Sequence, residues 1–185
     1  MGVTAGPALA ERAARRNPLV IEPPTSQNAR ALRARWIIVG IAVVAGAAFA
    51  LSVQAGRWWT VAGFEIGPFG SYRCFGGECK SAGLGWTGGS ERWMRTGTGV
   101  WAAGFLSMIL LLVVAGAVAA RRVPRLVAKT ALVSIGTAAV TGALFVAQFP
   151  GVQGAEMDRG IPLFGAAIVL GASICVAILR APRSA

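Results

Sequence analysis

The sequence contains no histidine, and four long segments of it also contain no Asp, Glu, Lys or Arg. Proton relays, ion pathways and haem or metal sites inside a membrane require residues of these types. Their absence argues against a transporter, a b-type cytochrome or an intramembrane protease, and no cofactor is expected. The segments are residues 36–55, 98–120, 130–149 and 161–179.

What these segments contain is almost entirely apolar. Each has about the ~20 residues that a helix needs to cross a hydrocarbon core. The whole chain is 55% hydrophobic and has 25 glycines, a composition typical of closely packed membrane helices. The sequence therefore predicts an all-α membrane protein, a four-transmembrane-helix bundle over residues 35–180. The flanking residues 1–34 and 181–185 are predicted to be tails, the first of them basic, flexible and interrupted by prolines.

The charged residues are distributed unevenly about the four segments. The residues before the first segment, those after the fourth and the connection between the second and third carry twelve basic and two acidic residues, a net charge of +10. The two other connections carry six basic and five acidic residues, a net charge of +1. The positive-inside rule then places both termini in the cytoplasm and the protein in the cell membrane, inner or plasma. Nucleic-acid binding is not expected, because no basic module with interleaved aromatics accompanies the charge.

Small residues recur at every fourth position within the segments. This spacing lines one face of a helix and lets neighbouring backbones approach closely. Packing within the bundle is the favoured interpretation, and lateral self-association through the same faces is the alternative. Cys175, in the fourth segment, is interpreted as a small packing residue. The packing residues singled out are Gly46, Ala138, Gly142 and Gly171.

The first outer connection, residues 56–97, is rich in aromatic residues and is predicted to fold. Residues 59–66 alternate roughly, as one strand would, and residues 72–80 are predicted to form a β-hairpin about Gly76-Gly77. That register places Cys74 opposite Cys79 and Phe75 opposite Glu78. Because disulfides persist outside the cytoplasm, we expect a Cys74–Cys79 bond.

The predicted disulfide has two interpretations. A bond that closes so short a loop constrains little chain entropy, so a structural bond contributes at the low end of ~0 to 5 kcal/mol. The alternative is a redox-active pair, as in quinone-linked disulfide-generating membrane proteins, which also have four spans and cytoplasmic termini. Against that alternative, the two cysteines lack the C-x-x-C spacing and no second outer pair is present to relay electrons.

This layout resembles the claudin and peripheral myelin protein superfamily of tetraspan membrane proteins. Members have a Trp soon after the first span, a Gly-Leu-Trp-x-x-Cys signature and a second Cys in an outer loop that forms a small antiparallel sheet. Here Tyr72 replaces the signature Trp, Ser71 replaces Leu, and the gap between the cysteines is shorter. The residues that carry the resemblance are Trp58 or Trp59, Gly70 to Cys74, Cys79-Lys80, Ala128-Lys129 and Gly142.

The resemblance implies lateral assembly in the membrane, adhesion between apposed membranes or an accessory role beside a larger complex. We therefore expect a non-enzymatic protein whose partners are membrane lipids and other membrane proteins, either copies of itself or a larger complex. Trp and Tyr near span ends also serve as interfacial anchors, which is the second interpretation of Trp58, Trp59 and Trp93. The predicted interaction surface comprises Trp58, Trp59, Phe69, Tyr72, Phe75 and Trp86.

Overall fold

The computed structural model describes residues 26–54, 57–75 and 78–181, with residues 26–28, 74, 75 and 79 described by their backbone alone. Within these residues the protein is mostly helical, with four helices long and apolar enough to cross a membrane. A small five-stranded antiparallel sheet accompanies them. The helices are α1 (Ser26–Gln54), α2 (Glu91–Ala119), α3 (Arg125–Ala147) and α4 (Gly160–Arg180).

Each helix begins before its predicted apolar segment, and three of the four end one or two residues before that segment does. Helix α2 begins at Glu91, because Ser90 accepts a hydrogen bond from the Trp93 backbone N–H at 3.2 Å and so caps the first turn. The predicted segments were defined by the absence of charged residues, so they leave out any charged residues at the start of a helix. Helix α1 begins at Ser26, so residues 26–34 of the predicted tail are helical, and residues 1–25 lie outside the described residues.

The outer surfaces of the helices are apolar. In the most apolar window of each helix only 33–39% of the residues are buried, and the mean hydropathy is 1.8–2.5. Water would penalise so large a continuous apolar surface, whereas hydrocarbon does not. The four apolar helices thus indicate a multi-pass membrane protein. Large exposed apolar side chains on these surfaces include Val44, Leu112, Val133, Val140 and Val169.

Small residues line the contacts between helices. A Cβ atom added at Gly142 of α3 would lie 2.6 Å from the ring of Phe164 of α4, and one added at Gly171 would lie 3.0 Å from Ile135. Gly46 faces the Met108 backbone of α2, and Ala138 is fully buried. All four predicted packing residues are thus buried in the bundle of a single chain, the arrangement that intramolecular packing requires.

A pair of serines joins α2 to α3 in the middle of the bundle. The Oγ atoms of Ser107 and Ser134 lie 2.9 Å apart, and both hydroxyls also reach the Ala103 carbonyl. These side chains are buried, so their hydrogen bonds satisfy polar groups that hydrocarbon would otherwise leave without a partner. The spacing of small residues in the sequence did not indicate this contact.

The sheet combines both outer connections. Its strand order is β4-β3-β2-β1-β5, and every neighbouring pair is antiparallel. A short 3₁₀ helix, Gly85–Thr87, follows β4. The strands are β1 (Trp59–Val61), β2 (Phe64–Ile66), β3 (Ser71–Phe75), β4 (Glu78–Ala82) and β5 (Glu156–Met157).

The prediction of one strand over residues 59–66 is wrong. The chain reverses at Ala62 and Gly63, whose φ values are 45° and 82°, and Val61 pairs with Phe64. Two successive positive φ values are typical of the tight turns whose twist matches that of paired strands. Alanine seldom adopts a positive φ, so this turn carries little sequence signal.

The predicted hairpin register is confirmed along the backbone. Cys74 pairs with Cys79 and Phe75 with Glu78. Residues directly opposite each other on antiparallel strands have Cα atoms about 4.5–5.5 Å apart, within the range of about 4.4–6.8 Å that a disulfide requires. Gly76-Gly77 and the side chains of Cys74, Phe75 and Cys79 lie outside the described part of the structure, so the disulfide stays a prediction.

Strand β5 was not predicted. It pairs Met157 with Trp59 and Glu156 with Thr60, which attaches the second outer connection to the edge of the first. The attachment continues towards α4, since the Gly160 N–H donates to the Arg57 carbonyl at 2.9 Å. A Cβ atom at Gly160 would lie 2.6 Å from that oxygen, so the close approach requires glycine. A two-residue strand is too short to show any periodicity in the sequence.

Candidate interaction surface of the outer sheet

An aromatic core fixes the sheet to the helix bundle. Trp58 and Trp59 are only 1% and 2% exposed. The Trp59 ring stacks on Phe149, with centroids 4.2 Å apart and planes 11° apart, and Trp58 lies 5.1 Å from Phe164. Both tryptophans also contact Phe145. The structure corrects their predicted place on the interaction surface, because their rings are packed beneath the sheet.

Two buried tryptophans also donate hydrogen bonds to carbonyls in the last turns of helices. The Trp58 indole N–H donates to the Ser52 carbonyl of α1 at 2.9 Å, and the Trp93 indole N–H donates to the Phe145 carbonyl of α3 at 2.9 Å. The last four carbonyls of a helix have no partner within the helix. These bonds therefore satisfy groups that would otherwise be costly to bury. The Trp58 bond also ties the residue before β1 to α1, and the Trp93 bond ties α2 to α3.

Strand pairing defines the two faces of the sheet, since residues directly opposite each other share a face. One face carries Trp59, Ile66 and Ser71, all buried, and packs towards the bundle. The opposite face, called here the outer face, carries a polar row that crosses all five strands. That row is Glu156, Thr60, Glu65, Tyr72 and Ser81.

Within the outer face, Tyr72 is the large exposed side chain, at 41% exposure. Its neighbour Glu65 is less exposed and forms an ion pair with Arg57, whose Nε lies 2.9 Å from Glu65 Oε2. The partly buried ion pair fixes one side of Tyr72, and the hairpin strand β4 lies on the other. Tyr72 thus lies between neighbours that are held in place, as the residues that dominate a protein contact usually do.

Trp86 is held against the sheet by its indole. Its N–H donates to Ser71 Oγ at 2.8 Å, and its ring centroid lies 4.5 Å from that of Phe64. The guanidinium of Arg73 lies 5.2 Å from the Phe64 ring centroid. Trp86 nevertheless remains 43% exposed. It packs on Phe64, whereas Tyr72 lies on the opposite face, so these two predicted residues do not form one patch.

Phe69 occupies the tip of the loop between β2 and β3 and, at 61%, is the most exposed of the predicted residues whose side chains the structure describes. The Gly67 N–H donates to the Gly70 carbonyl at 2.8 Å and so closes this loop. The ring of Phe69 packs 4.9 Å from Trp101 of α2. Trp101 in turn stacks on Phe105, with centroids 5.7 Å apart and planes 7° apart.

Phe69, Trp101 and Phe105 form what is called here the aromatic line, which runs from the sheet down one side of α2. The loop can rest on this helix because Gly97 leaves room for the Pro68 carbonyl; a Cβ atom there would lie 2.4 Å from that oxygen. Trp101 and Phe105 lie beyond the connection of residues 56–97 and were therefore not among the predicted residues. The spacing of Gly97, Trp101 and Phe105 by four residues was the available signal.

A shallow apolar groove of about 400 Å³ lies between α3 and α4 near the aromatic core. Trp58 lines it, but its indole N–H is already bonded to Ser52, and the remaining lining residues carry only apolar or no side chains. A quinone head group accepts hydrogen bonds. The described residues of this groove offer it no free side-chain donor.

The structure includes a small antiparallel sheet and a buried tryptophan pair soon after α1, as the family resemblance implies for members' sheet and first Trp. Tyr72, at the position of the signature Trp, is exposed. In comparisons with known proteins, no family model, no curated protein and no solved structure matches the chain.

Proposed function

We propose that this protein is a non-enzymatic integral membrane protein, a structural or accessory component whose outer sheet and adjoining helix bind another membrane protein. The observation that carries the proposal is the rigid attachment of the sheet to the bundle through Trp58, Trp59 and Phe145. A flexible loop would lose conformational entropy on binding, whereas a preorganised surface does not. The attached sheet presents half-exposed aromatics, the side chains most often found at the centre of protein contacts.

The contact is lateral, within one membrane. The aromatic line leads from the exposed Phe69 onto α2, so a partner that reaches Phe69 also lies beside a membrane-spanning helix. Trp101 adds a reason to expect a polar partner there, since its indole nitrogen is buried without a hydrogen-bond partner among the described residues. The resemblance to claudins and peripheral myelin proteins supports the same choice, because it implies lateral assembly or an accessory role.

The proposed topology places the sheet outside the cytoplasm and both termini inside the cell. All five acidic residues that the structure describes lie on the sheet side of the helices, in its strands and connections or at the first residue of α2. The opposite side carries the excess of arginine, as the positive-inside rule requires. In this orientation the cysteine-bearing hairpin faces an oxidising compartment, where the predicted disulfide persists.

The test is a pull-down of the tagged full chain from native membranes into mild detergent or nanodiscs, resolved by mass. We expect a partner at fixed stoichiometry, either a second copy or a larger polypeptide. Phe69→Ala should release it, because the substitution removes an exposed ring and leaves the sheet contacts intact. Leu106→Ala is the matched control, since Leu106 is an exposed apolar residue of α2, at 49% exposure, that lies outside the aromatic line. A strict monomer in native lipid would overturn the proposal.

The redox alternative rests on the direct opposition of Cys74 and Cys79 in the hairpin. It predicts quinone-dependent thiol oxidation by the purified protein, which Cys74→Ser should abolish while the bundle stays folded. The interaction proposal predicts no such activity and retention of the partner in the same variant. The two functions are therefore separated by a single substitution assayed in two ways.

A further inference from the structure

The end of the bundle opposite the sheet contains an arginine-lined cavity. It has a volume of about 250 Å³ and lies between α1, the connection from α2 to α3, and the end of α4. Ile38, Val118 and Ile178 supply apolar wall, and Arg35, Arg121 and Arg122 supply the charge. We propose that this cavity, called here the arginine pocket, binds the phosphate-bearing headgroup of one anionic phospholipid, with the start of an acyl chain along the apolar wall.

The charges of the pocket are not balanced by carboxylates among the described residues. The ion pairs among the described residues involve Arg57, Arg95 and Arg159, which all lie on the sheet side of the molecule and not at the pocket. The described acidic residues lie on that same side. Three arginines therefore line a cavity to which the described part of the chain brings no carboxylate, and a bound phosphate would supply the anion.

Arg35 carries a more specific indication. Its Nε atom is buried and has no hydrogen-bond partner among the described residues. Buried N–H groups are nearly always paired, because desolvation without a partner is costly. The Cζ atom of the same guanidinium lies 5.6 Å from the centroid of the Trp36 ring, which restricts the conformations of the Arg35 side chain. A phosphate oxygen in the cavity would accept this hydrogen bond.

The backbone at the end of α2 also favours a role for the Arg121 side chain. The Arg121 N–H donates to the Val118 carbonyl and the Arg122 N–H to the Ala117 carbonyl, which is the Schellman pattern that ends many helices. Arg121 occupies the position of this pattern where glycine is favoured, and it has a φ of 58°. Arg121, in this conformation, and the adjacent Arg122 both line the pocket.

The apolar wall decides between a lipid and a soluble anion. Ile38, Val118 and Ile178 belong to the helices long and apolar enough to span a membrane, so the apolar wall of the cavity lies on those helices. A ligand with one anionic end and one apolar end fits both parts, whereas free phosphate fits only the first. Basic pockets between spans on the cytoplasmic side are known to take anionic headgroups in this way.

The inference does not depend on the proposed contact at the aromatic line, and it can be tested on the purified full chain. Native mass spectrometry and thermal unfolding in detergent, with added phosphatidylglycerol or phosphatidylcholine, should show one tightly held phosphatidylglycerol and a higher unfolding temperature with that lipid only. Arg121→Gly should weaken binding about tenfold, the expected loss of one charge-assisted contact. Because glycine suits this backbone position, the variant should fold at least as well as the wild type without lipid.

Lys129→Gln is the matched control. Lys129 lies at the same end of the bundle and carries the same charge, but it lines a different cavity beside Arg125. The control should bind phosphatidylglycerol as the wild type does, and Arg35→Gln should behave like Arg121→Gly. Equal binding of the two lipids, or equal loss in Lys129→Gln and Arg121→Gly, would overturn the proposal. Equal stabilisation by inorganic phosphate alone would overturn the lipid assignment.

Discussion

Trp93 lies flat against Phe145, with ring centroids 4.8 Å apart and planes 4° apart, and its indole N–H donates to the carbonyl of that same residue. One side chain of α2 thus contacts α3 through both a stacked ring and a hydrogen bond. Phe145 is also the residue that both Trp58 and Trp59 contact. The attachment of the sheet to the bundle therefore depends on the position that Trp93 gives to Phe145.

Trp93→Phe should retain the stacked ring and lose the hydrogen bond. The Phe145 carbonyl would then be buried without this partner, and we expect the free energy of unfolding to fall by about 1–3 kcal/mol. Denaturation in detergent measures the change. Trp36→Phe is the control, because Trp36 is 54% exposed on α1 and should tolerate the substitution. Equal effects in the two variants would contradict this role for Trp93.

Gly142→Ala should destabilise the bundle. The added methyl group would lie 2.6 Å from the buried ring of Phe164, and overpacking of this kind costs about 1–3 kcal/mol. Gly136→Ala is the control on the same helix, since a Cβ atom there meets nothing within 4 Å. Because alanine is the better helix former, that control should leave stability unchanged or raise it by about 0.5–1 kcal/mol. A stable Gly142→Ala variant would show that the contact between α3 and α4 can open.

The predicted disulfide can be counted directly. The chain has three cysteines, and the bond would leave only Cys175 as a thiol. Alkylation of the denatured protein should therefore add one label without reductant and three with it, as read by intact mass. Three labels without reductant would disprove the bond. Cys74→Ser should cost little stability, under about 2 kcal/mol, because the closed loop is short.

The predicted topology can be read by labelling single cysteines in a variant that lacks the native three. Ser81→Cys, on the outer face of the sheet, should react with a membrane-impermeant maleimide added to intact cells. Val123→Cys, between α2 and α3, should react only after the membrane is permeabilised, although Val123 is 58% exposed. The opposite pattern would reverse the proposed orientation and would place the cysteine hairpin in a reducing compartment.

The tight turn at Ala62 and Gly63 offers a test of the corrected strand assignment. Ala62→Gly should stabilise the protein by about 0.5–1 kcal/mol, because glycine adopts the φ of 45° without the steric cost that alanine bears. Ala82→Gly, in strand β4, should instead reduce stability, since glycine weakens a strand. Thermal unfolding of both variants decides the point; destabilisation by Ala62→Gly would argue for an extended residue 62.

The features that the sequence predicted are those set by local patterns. Charge-free apolar stretches long enough to span a bilayer predicted all four helices, and Gly76-Gly77 between short alternating segments predicted the pairing of Cys74 with Cys79. Strand β5 escaped prediction because its two residues gain their conformation from Trp59 and Thr60, almost a hundred residues earlier. The periodicity of a short stretch of sequence does not reveal a pairing with residues so distant along the chain.

The predicted interaction surface failed where burial depends on distant residues. Trp58 and Trp59 lie just after a span, the usual place for interfacial anchors. Their rings are nevertheless covered by Phe145 of α3, Phe149 just after α3 and Phe164 of α4. Those partners lie more than 80 residues later in the sequence. Phe69, Tyr72 and Trp86 lie farther along the connection and remain exposed, and whether they bind a partner stays a prediction.

The pairing of β5 with β1 has a mechanical consequence. Trp58 accepts a hydrogen bond from the Asp158 N–H, and Arg57 accepts one from Gly160, the first residue of α4. A force applied to the sheet would therefore be transmitted within a few bonds to the fourth helix. The sheet and α4 should move together, so that a displacement of the sheet would also displace Arg180 at the other end of α4.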